Sequence, residues 1–250
     1  MTKISAEIIG TMILVFLGNG VVANVLLSKT KGHGDGGWVT ITMGWALAVF
    51  MGILVSAPYS GGHLNPSVSI GFAMIGKLKW NLVPVYIASQ LIGAMLGSLL
   101  VWILYKDHFS ETKNEQDKLS VFTTSPSIRN LYSNLLSEIL ATFIFMFVTF
   151  YLAEESIFFQ KKKYSLTGLG YLGAFPSALI ILGIGLSLGG TTGYAINPAR
   201  DLGPRIIYSI ISISSGGVKK ANSNWDYAFV PVLGPIIGSV MAAALYLSIK

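Results

Sequence analysis

Long apolar stretches alternate with short polar ones along this chain. Six segments, 8–27, 38–57, 83–105, 139–153, 166–188 and 227–249, contain no Asp, Glu, Lys, Arg or His. A helix crosses a ~30 Å hydrocarbon core with roughly 20 apolar residues rising about 1.5 Å each. The 139–153 run is short alone but extends back through Leu135, Leu136 and Glu138. The pattern predicts six membrane-spanning helices. Lys3 and Glu7 sit ahead of the first apolar run and no small-residue cleavage pattern follows it, so that run is read as a retained span rather than a leader.

Two further segments are too short to cross. Residues 65–76 would form a helix of ~18 Å, about half the membrane, after the break 58–64 and before Lys77 and Lys79. Residues 197–209 behave likewise after 189–193. Both open with Asn-Pro: Asn65-Pro66 and Asn197-Pro198. Asn caps the free N–H groups of a helix start and Pro fits its first position. Because 36–76 contains no Asp, Glu, Lys or Arg, these segments are predicted to be re-entrant half-helices that dip into the membrane and return.

Composition narrows the class. Of 250 residues, 52% are hydrophobic and 11% charged, against about 25% charged in soluble domains, and the mean hydropathy is +0.65. A soluble enzyme and a nucleic-acid binder are excluded. The net charge of +6 comes from basic residues placed in short clusters between apolar runs, as in loops facing anionic lipid. There is no cysteine, and His33, His63 and His108 are far apart in sequence, so neither a thiolate site nor a zinc site is expected. No nucleotide loop, nucleophile–base pair or metal cluster is recognisable, and no catalytic residue, cofactor or metal is assigned.

The chain also repeats itself. An offset of 132 places Asn65 on Asn197, Gly61 on Gly193 and Gly71 on Gly203. An offset of 131 places Glu7-x-x-x-Thr11 on Glu138-x-x-x-Thr142, each opening a span. Gln90-x-x-Gly93-Ala94 matches Pro235-x-x-Gly238-Ser239, and Gly93/Gly97 and Gly234/Gly238 are GxxxG pairs that let helices approach closely in lipid. A single channel domain over 1–250 is expected, built from halves of about 1–125 and 130–250. Three crossings per half is odd, so the second half is inverted. The half-helices then meet near the midplane, where inverted-repeat transporters place their sites.

These residues resemble the paired NPA motifs of the major intrinsic protein family, the aquaporins and glycerol facilitators. The contexts SGGHLNP (60–66) and TGYAINPARD (192–201) carry more of the resemblance than the tripeptides do, and it covers nearly the whole chain. Ser67 departs from the usual Ala. Within the family, Asp201 after Arg200, Arg205, Pro235-Ile236 and the long loop 210–226 are similar to the glycerol-conducting branch. The resemblance implies an all-α channel of six spans and two half-helices, a homotetramer with one pore per subunit, and a constriction of Trp45, Gly185, Tyr194 and Arg200. Water-selective relatives usually carry a His where Gly185 stands.

Physical chemistry gives the motifs work. Non-helical backbone at membrane depth is tolerated where it lines a water-filled cavity. The carbonyls of Gly61, Gly62, His63 and Leu64, and of Gly193, Tyr194, Ala195 and Ile196, are expected to form a ladder of acceptors. Asn65 and Asn197 would supply central donors, reinforced by two helix N-termini with partial positive charge. Pro66 and Pro198 fix the helix starts. Arg200, a guanidinium in an apolar region, is functional by default; Gly185 would leave the lumen open and its own carbonyl reachable. Glu7 and Glu138 are read as acceptors for the N–H groups of their own half's loop, Asp201 as a partner holding a loop or an arginine, and His63 as either pore-lining or buried and satisfied. The runs Lys106–Lys118 and Glu154–Lys163 are read as solvated loops. The expected function is passive conduction of glycerol and similar small neutral solutes, with water, and exclusion of ions and protons. A water-selective channel and a proton-coupled transporter using Glu7 or Glu138 are the alternatives. The protein is expected in the cell membrane with both termini cytoplasmic, beside Lys3, Lys77, Lys79, 161–163 and Lys250.

Overall fold

The computed structural model describes residues 1–161, 173–211 and 222–250, with side chains outside 154–161. The regular secondary structure of the described residues is all helix, without strands. In order they form α1 (Lys3–Leu26), α2 (Gly37–Ser60), α3 (Pro66–Met74), α4 (Val83–Leu104), α5 (Lys106–Glu111), α6 (Glu115–Phe122), α7 (Leu131–Lys161), α8 (Phe175–Leu188), α9 (Pro198–Ile210) and α10 (Phe229–Ser248). Five of them, with α4 counted from Trp80 and α7 to Ala153, are long and apolar enough to cross a membrane. The apolar helix α8 has 14 residues; residues 166–172 of the expected fifth span lie outside the described ones, as do 212–221 of the loop before α10.

The long helices carry apolar residues all round, as bilayer-embedded helices do. On α2, Val39, Met43, Leu47 and Met51 are exposed, while Trp45, Val49, Ile53 and Ala57 point into an internal cavity. Both series step by four residues, so each is one face of the helix. The glycine pairs bring backbones together. A Cβ on Gly93 would strike the Ile8 carbonyl and one on Gly97 would lie 2.5 Å from the Met12 carbonyl. Gly238 faces the Ile139 carbonyl in the same way, and a Cβ on Gly234 would lie 2.6 Å from that of Glu138. So α4 seats on α1, and α10 on α7, through the GxxxG pairs.

The short helices start as their sequences dictate. Asn65 Oδ1 accepts from Ser67 N at 2.9 Å, and Asn197 Oδ1 from Ala199 N at 3.0 Å and Arg200 N at 3.2 Å. They span only about 13 and 20 Å at 1.5 Å per residue. Each packs on the last long helix of the other half, α3 on α10 and α9 on α4. A Cβ on Gly71 would meet Ser239 Oγ at 2.5 Å, and one on Gly203 would meet the Ala94 Cβ at 2.7 Å. The small residues aligned by the repeat therefore sit at the two crossing points.

Two loop assignments require correction. Lys106–Lys118 is not a solvated loop: it folds into α5 and the start of α6, whose Phe109, Leu119 and Phe122 are buried. Lys118 is itself fully buried, 2.7 Å from Glu115. An apolar residue every few positions was enough to fold a charged stretch against α1 and α9. Lys29, exposed, contacts Glu111 at 2.5 Å and holds that carboxyl below the usual carboxylate range by hydrogen bond and charge. The backbone of Glu154–Lys163 continues α7 as far as Lys161; residues 162–163 lie outside the described ones.

Candidate functional site

A cavity of about 500 Å³ runs along the inside of the helices. Two non-helical segments, each leading into a half-helix, form one side of its wall. Gly61 and Gly62 have φ of +89° and +65°, and Leu64 and Ile196, at corresponding places, have φ of +52° and +42°. Left-handed backbone is a genuine outlier for a β-branched residue such as Ile196, costing about 1–3 kcal/mol unless the surroundings hold it.

Buried carboxylates hold it. Glu7 Oε1 accepts from Ser60 Oγ at 2.6 Å and His63 N at 3.0 Å; Oε2 accepts from Leu64 N at 2.8 Å and Gln90 Nε2 at 2.7 Å. Glu138 Oε1 accepts from Thr192 Oγ1 at 2.6 Å and Ala195 N at 2.9 Å; Oε2 accepts from Ile196 N at 2.9 Å. Backbone donors that would otherwise be orphaned at membrane depth are thereby satisfied. Gln90, which adds the fourth donor to Glu7, corresponds to Pro235 in the repeat, which has no side-chain donor.

The two segments interlock. Asn65 Nδ2 donates to the Ile196 carbonyl at 2.8 Å and Asn197 Nδ2 to the Leu64 carbonyl at 2.9 Å. An amide NH₂ has two hydrogens, so each asparagine spends one on the opposite segment and keeps one. The Leu64 and Ile196 carbonyls are correspondingly part of the interlock, which sequence reasoning did not anticipate when it placed them in the ladder.

Trp45, Tyr194 and Arg200 line the cavity together. The Arg200 guanidinium lies over the Trp45 ring, 4.0 Å from its centroid, a cation–π arrangement. It hydrogen-bonds to no protein acceptor among the described residues. Asp201 beside it is committed elsewhere: Oδ2 accepts from Thr124 N at 2.8 Å and Thr124 Oγ1 at 2.7 Å, and Oδ1 from Arg205 Nε at 2.8 Å. Arg205 also donates to the carbonyls of Ser223 at 2.6 Å and Asn224 at 3.0 Å. Asp201 thus holds both a loop and an arginine, and among the described residues it leaves Arg200 without an ion-pair partner.

Gly61, Gly62, His63, Leu64, Asn65, Ala195, Ile196 and Asn197 also line the cavity; Gly185 and Gly193 do not. A Cβ on Gly193 would face Thr124 at 3.5 Å. Gly185 differs from expectation. A Cβ there would lie 2.8 Å from Thr42 Cγ2 and 2.9 Å from Tyr194 Cζ, so its missing side chain makes room for the tyrosine ring rather than for the lumen. Its carbonyl already accepts one hydrogen bond, from Trp38 Nε1 at 2.9 Å. His63 both lines the cavity and is satisfied, with Nδ1 3.1 Å from Ser69 Oγ and its ring against Phe72 and Tyr86.

The apolar side of the wall was missed: Leu14, Val49, Ile53, Val68, Phe72, Phe145 and Ile181. A signal existed, since Trp45, Val49, Ile53 and Ala57 follow at four-residue steps, and Ser177 and Ile181 are four apart as well. One side of the passage is therefore greasy and the other carries amide donors, carbonyls and a guanidinium.

A membrane-embedded helical channel architecture with two Asn-capped half-helices defines the class of protein. The family model described as Major intrinsic protein matches residues 1–246. The chain belongs to the major intrinsic protein family. It is 46% identical over 246 residues to a protein of Streptococcus pneumoniae named glycerol uptake facilitator protein, covering 98% of each chain. It is 44% identical over 246 residues to a Thermotoga maritima protein named probable glycerol uptake facilitator protein, again covering 98% of each. Among solved structures it is similar to the aquaglyceroporin of Plasmodium falciparum, with TM-score 0.80, 36% identity, and coverage of 98% of this chain and 94% of that one. The all-α fold is that of the aquaporins, and the protein is a multi-pass membrane protein.

Proposed function

We propose that this protein is a passive channel for glycerol and similar small neutral solutes, that water also passes, and that ions and protons are excluded. The observation that carries the reading is an Arg200 guanidinium lying over the Trp45 ring in the cavity wall, which Tyr194 also lines, with no hydrogen-bond acceptor among the described residues; we read these three as the constriction. A polyol has a carbon edge and a hydroxyl edge. The carbon edge slides along Trp45, Tyr194 and the apolar stripe below, while the hydroxyls accept from Arg200 and from the spare hydrogens of Asn65 and Asn197 and donate to backbone carbonyls. A cation meets a fixed guanidinium and two helix N-termini in a low-dielectric wall and is repelled. Waters reverse their orientation at the asparagine pair, which interrupts proton hopping. The relatives named as glycerol facilitators and the aquaglyceroporin neighbour support the same solute class.

On this reading the two halves are inverted copies within one channel domain, four copies assemble as a homotetramer with one pore each, and the protein sits in the cell membrane. Both termini face the cytoplasm with Lys3, Lys77, Lys79 and Lys250. The test is stopped-flow light scattering of proteoliposomes, shrunk first with sucrose and then with glycerol. Rapid re-swelling in glycerol above the empty-vesicle rate is expected. Water exchange without glycerol re-swelling would overturn the solute assignment in favour of a water-selective channel.

A further inference from the structure

Trp38 does not line the cavity, yet it touches the parts of the constriction that the cavity does not explain. Its Nε1 donates to the Gly185 carbonyl at 2.9 Å, 147 positions along the chain. Its ring meets Tyr194 edge-on, with centroids 5.7 Å apart at 82°, the preferred geometry for an aromatic pair. Gly185 and Gly189 stand one turn apart on and just beyond α8 and open the slot in which the tyrosine lies. A Cβ on Gly189 would come within 2.5 Å of Tyr194 Cδ1 and 2.7 Å of Trp38 Cζ2. Tyr194 itself has φ +36°, a strained conformation for a residue with a side chain, and its hydroxyl has no protein partner. No hydrogen bond fixes the polar end of the ring among the described residues; its position is set by the slot on one side and by Trp38 on another.

We infer that Trp38 is a positioning residue for the selectivity of this channel: it bolts α2 to α8 through the Gly185 carbonyl and props the Tyr194 ring against the lumen, so that it sets the size limit without touching the solute. This rests on the proposed conduction of polyols. Removing the indole opens space behind the tyrosine, away from the cavity that Tyr194 lines, and the ring relaxes into it. The passage then widens for longer polyols, while water, already small enough to pass, is little affected. A side chain that served only to pack α2 would instead lower all fluxes together through loss of folded protein.

The experiment compares wild type, Trp38→Phe and Trp38→Ala in proteoliposomes, with water, glycerol and the four-carbon polyol erythritol as probes, each flux normalised to reconstituted protein. Trp38→Ala is expected to raise the erythritol-to-glycerol flux ratio about fivefold, the factor equivalent to roughly 1 kcal/mol of lost contact at 25 °C. Trp38→Phe, which keeps an edge-on ring but loses the N–H, is expected to shift the ratio in the same direction by less. Unchanged ratios in both variants, or a uniform fall of all three fluxes, would overturn the inference. Should Trp38→Ala fail to fold, Trp38→Phe alone decides it by the same ratio. A wild type that passes no glycerol would instead overturn the proposed function, and the two failures are distinguished in the same data set.

Discussion

Replacing Glu138 separates a scaffold from a proton site. The carboxylate accepts three hydrogen bonds, from the Thr192 hydroxyl and the Ala195 and Ile196 N–H groups, and it is 1% exposed. Leucine there strands all three donors. At about 1–3 kcal/mol for each buried unpaired donor, the loss is roughly 3–9 kcal/mol, comparable with the ~5–15 kcal/mol that holds a typical protein together. Glu138→Leu is expected to yield little folded protein. Glutamine is near-isosteric and keeps one acceptor oxygen. Its NH₂ can donate to the Thr192 hydroxyl, its oxygen can take one backbone N–H, and one donor is left over. The expected cost is ~1–3 kcal/mol, a fall in thermal midpoint of roughly 2–12 °C for a chain of this size, with glycerol flux per folded channel close to wild type. The assay pairs thermal unfolding of the detergent-purified protein with glycerol flux in proteoliposomes. Full folding of Glu138→Leu would refute the scaffold role. So would a well-folded Glu138→Gln whose transport is abolished in a pH-dependent way, since that result belongs to a proton-coupled transporter.

Other substitutions probe different parts of the wall. Arg200→Ala is expected to fold and to lose solute discrimination, admitting larger polyols and a measurable cation or proton leak; an unchanged solute ranking with no leak would remove Arg200 from the filter. Gly185→Ala inserts a methyl 2.9 Å from Tyr194 Cζ, which pushes the ring toward the lumen, so glycerol flux should fall several times more than water flux, at an overpacking cost of about 1–3 kcal/mol. Gly185→His should act in the same direction and more severely; equal loss of both fluxes would assign this glycine to helix packing alone. Asp201→Asn breaks a fully buried pair with Arg205 and weakens the tie to Thr124, and a loss of about 3–5 kcal/mol should appear as a marked fall in thermal midpoint; an unshifted melt would show that these loops are held by other means.

The sequence carried the architecture because the bilayer imposes simple rules. Runs of about 20 apolar residues, half-length segments opening on Asn-Pro, and glycines at matched offsets each correspond to one physical constraint of span length, helix capping or close approach. Asn65, Asn197, Glu7 and Glu138 were legible because polar groups at membrane depth must do something. What occupies the space beside Gly185 was not legible, because an absent side chain leaves space without saying what fills it, and the ring of Tyr194, nine positions on, lies there. Trp38 was invisible for a related reason: an aromatic near the end of a span reads as an interface anchor until the carbonyl it reaches is known. The charged run over Lys106–Lys118 misled in the opposite sense, its charges outweighing the buried Phe109 and Leu119 that fold it. The apolar wall of the passage could have been found, because residues at four-residue steps below Trp45 share a helix face.

The central claim is passive passage of a neutral polyol, and radiolabelled glycerol influx into proteoliposomes measured with and without an imposed proton gradient tests it most directly. The account predicts rapid influx at the same rate in both conditions, proportional to glycerol concentration and ending at equal concentrations inside and out. Accumulation above the external concentration, or influx that requires the gradient, would contradict it.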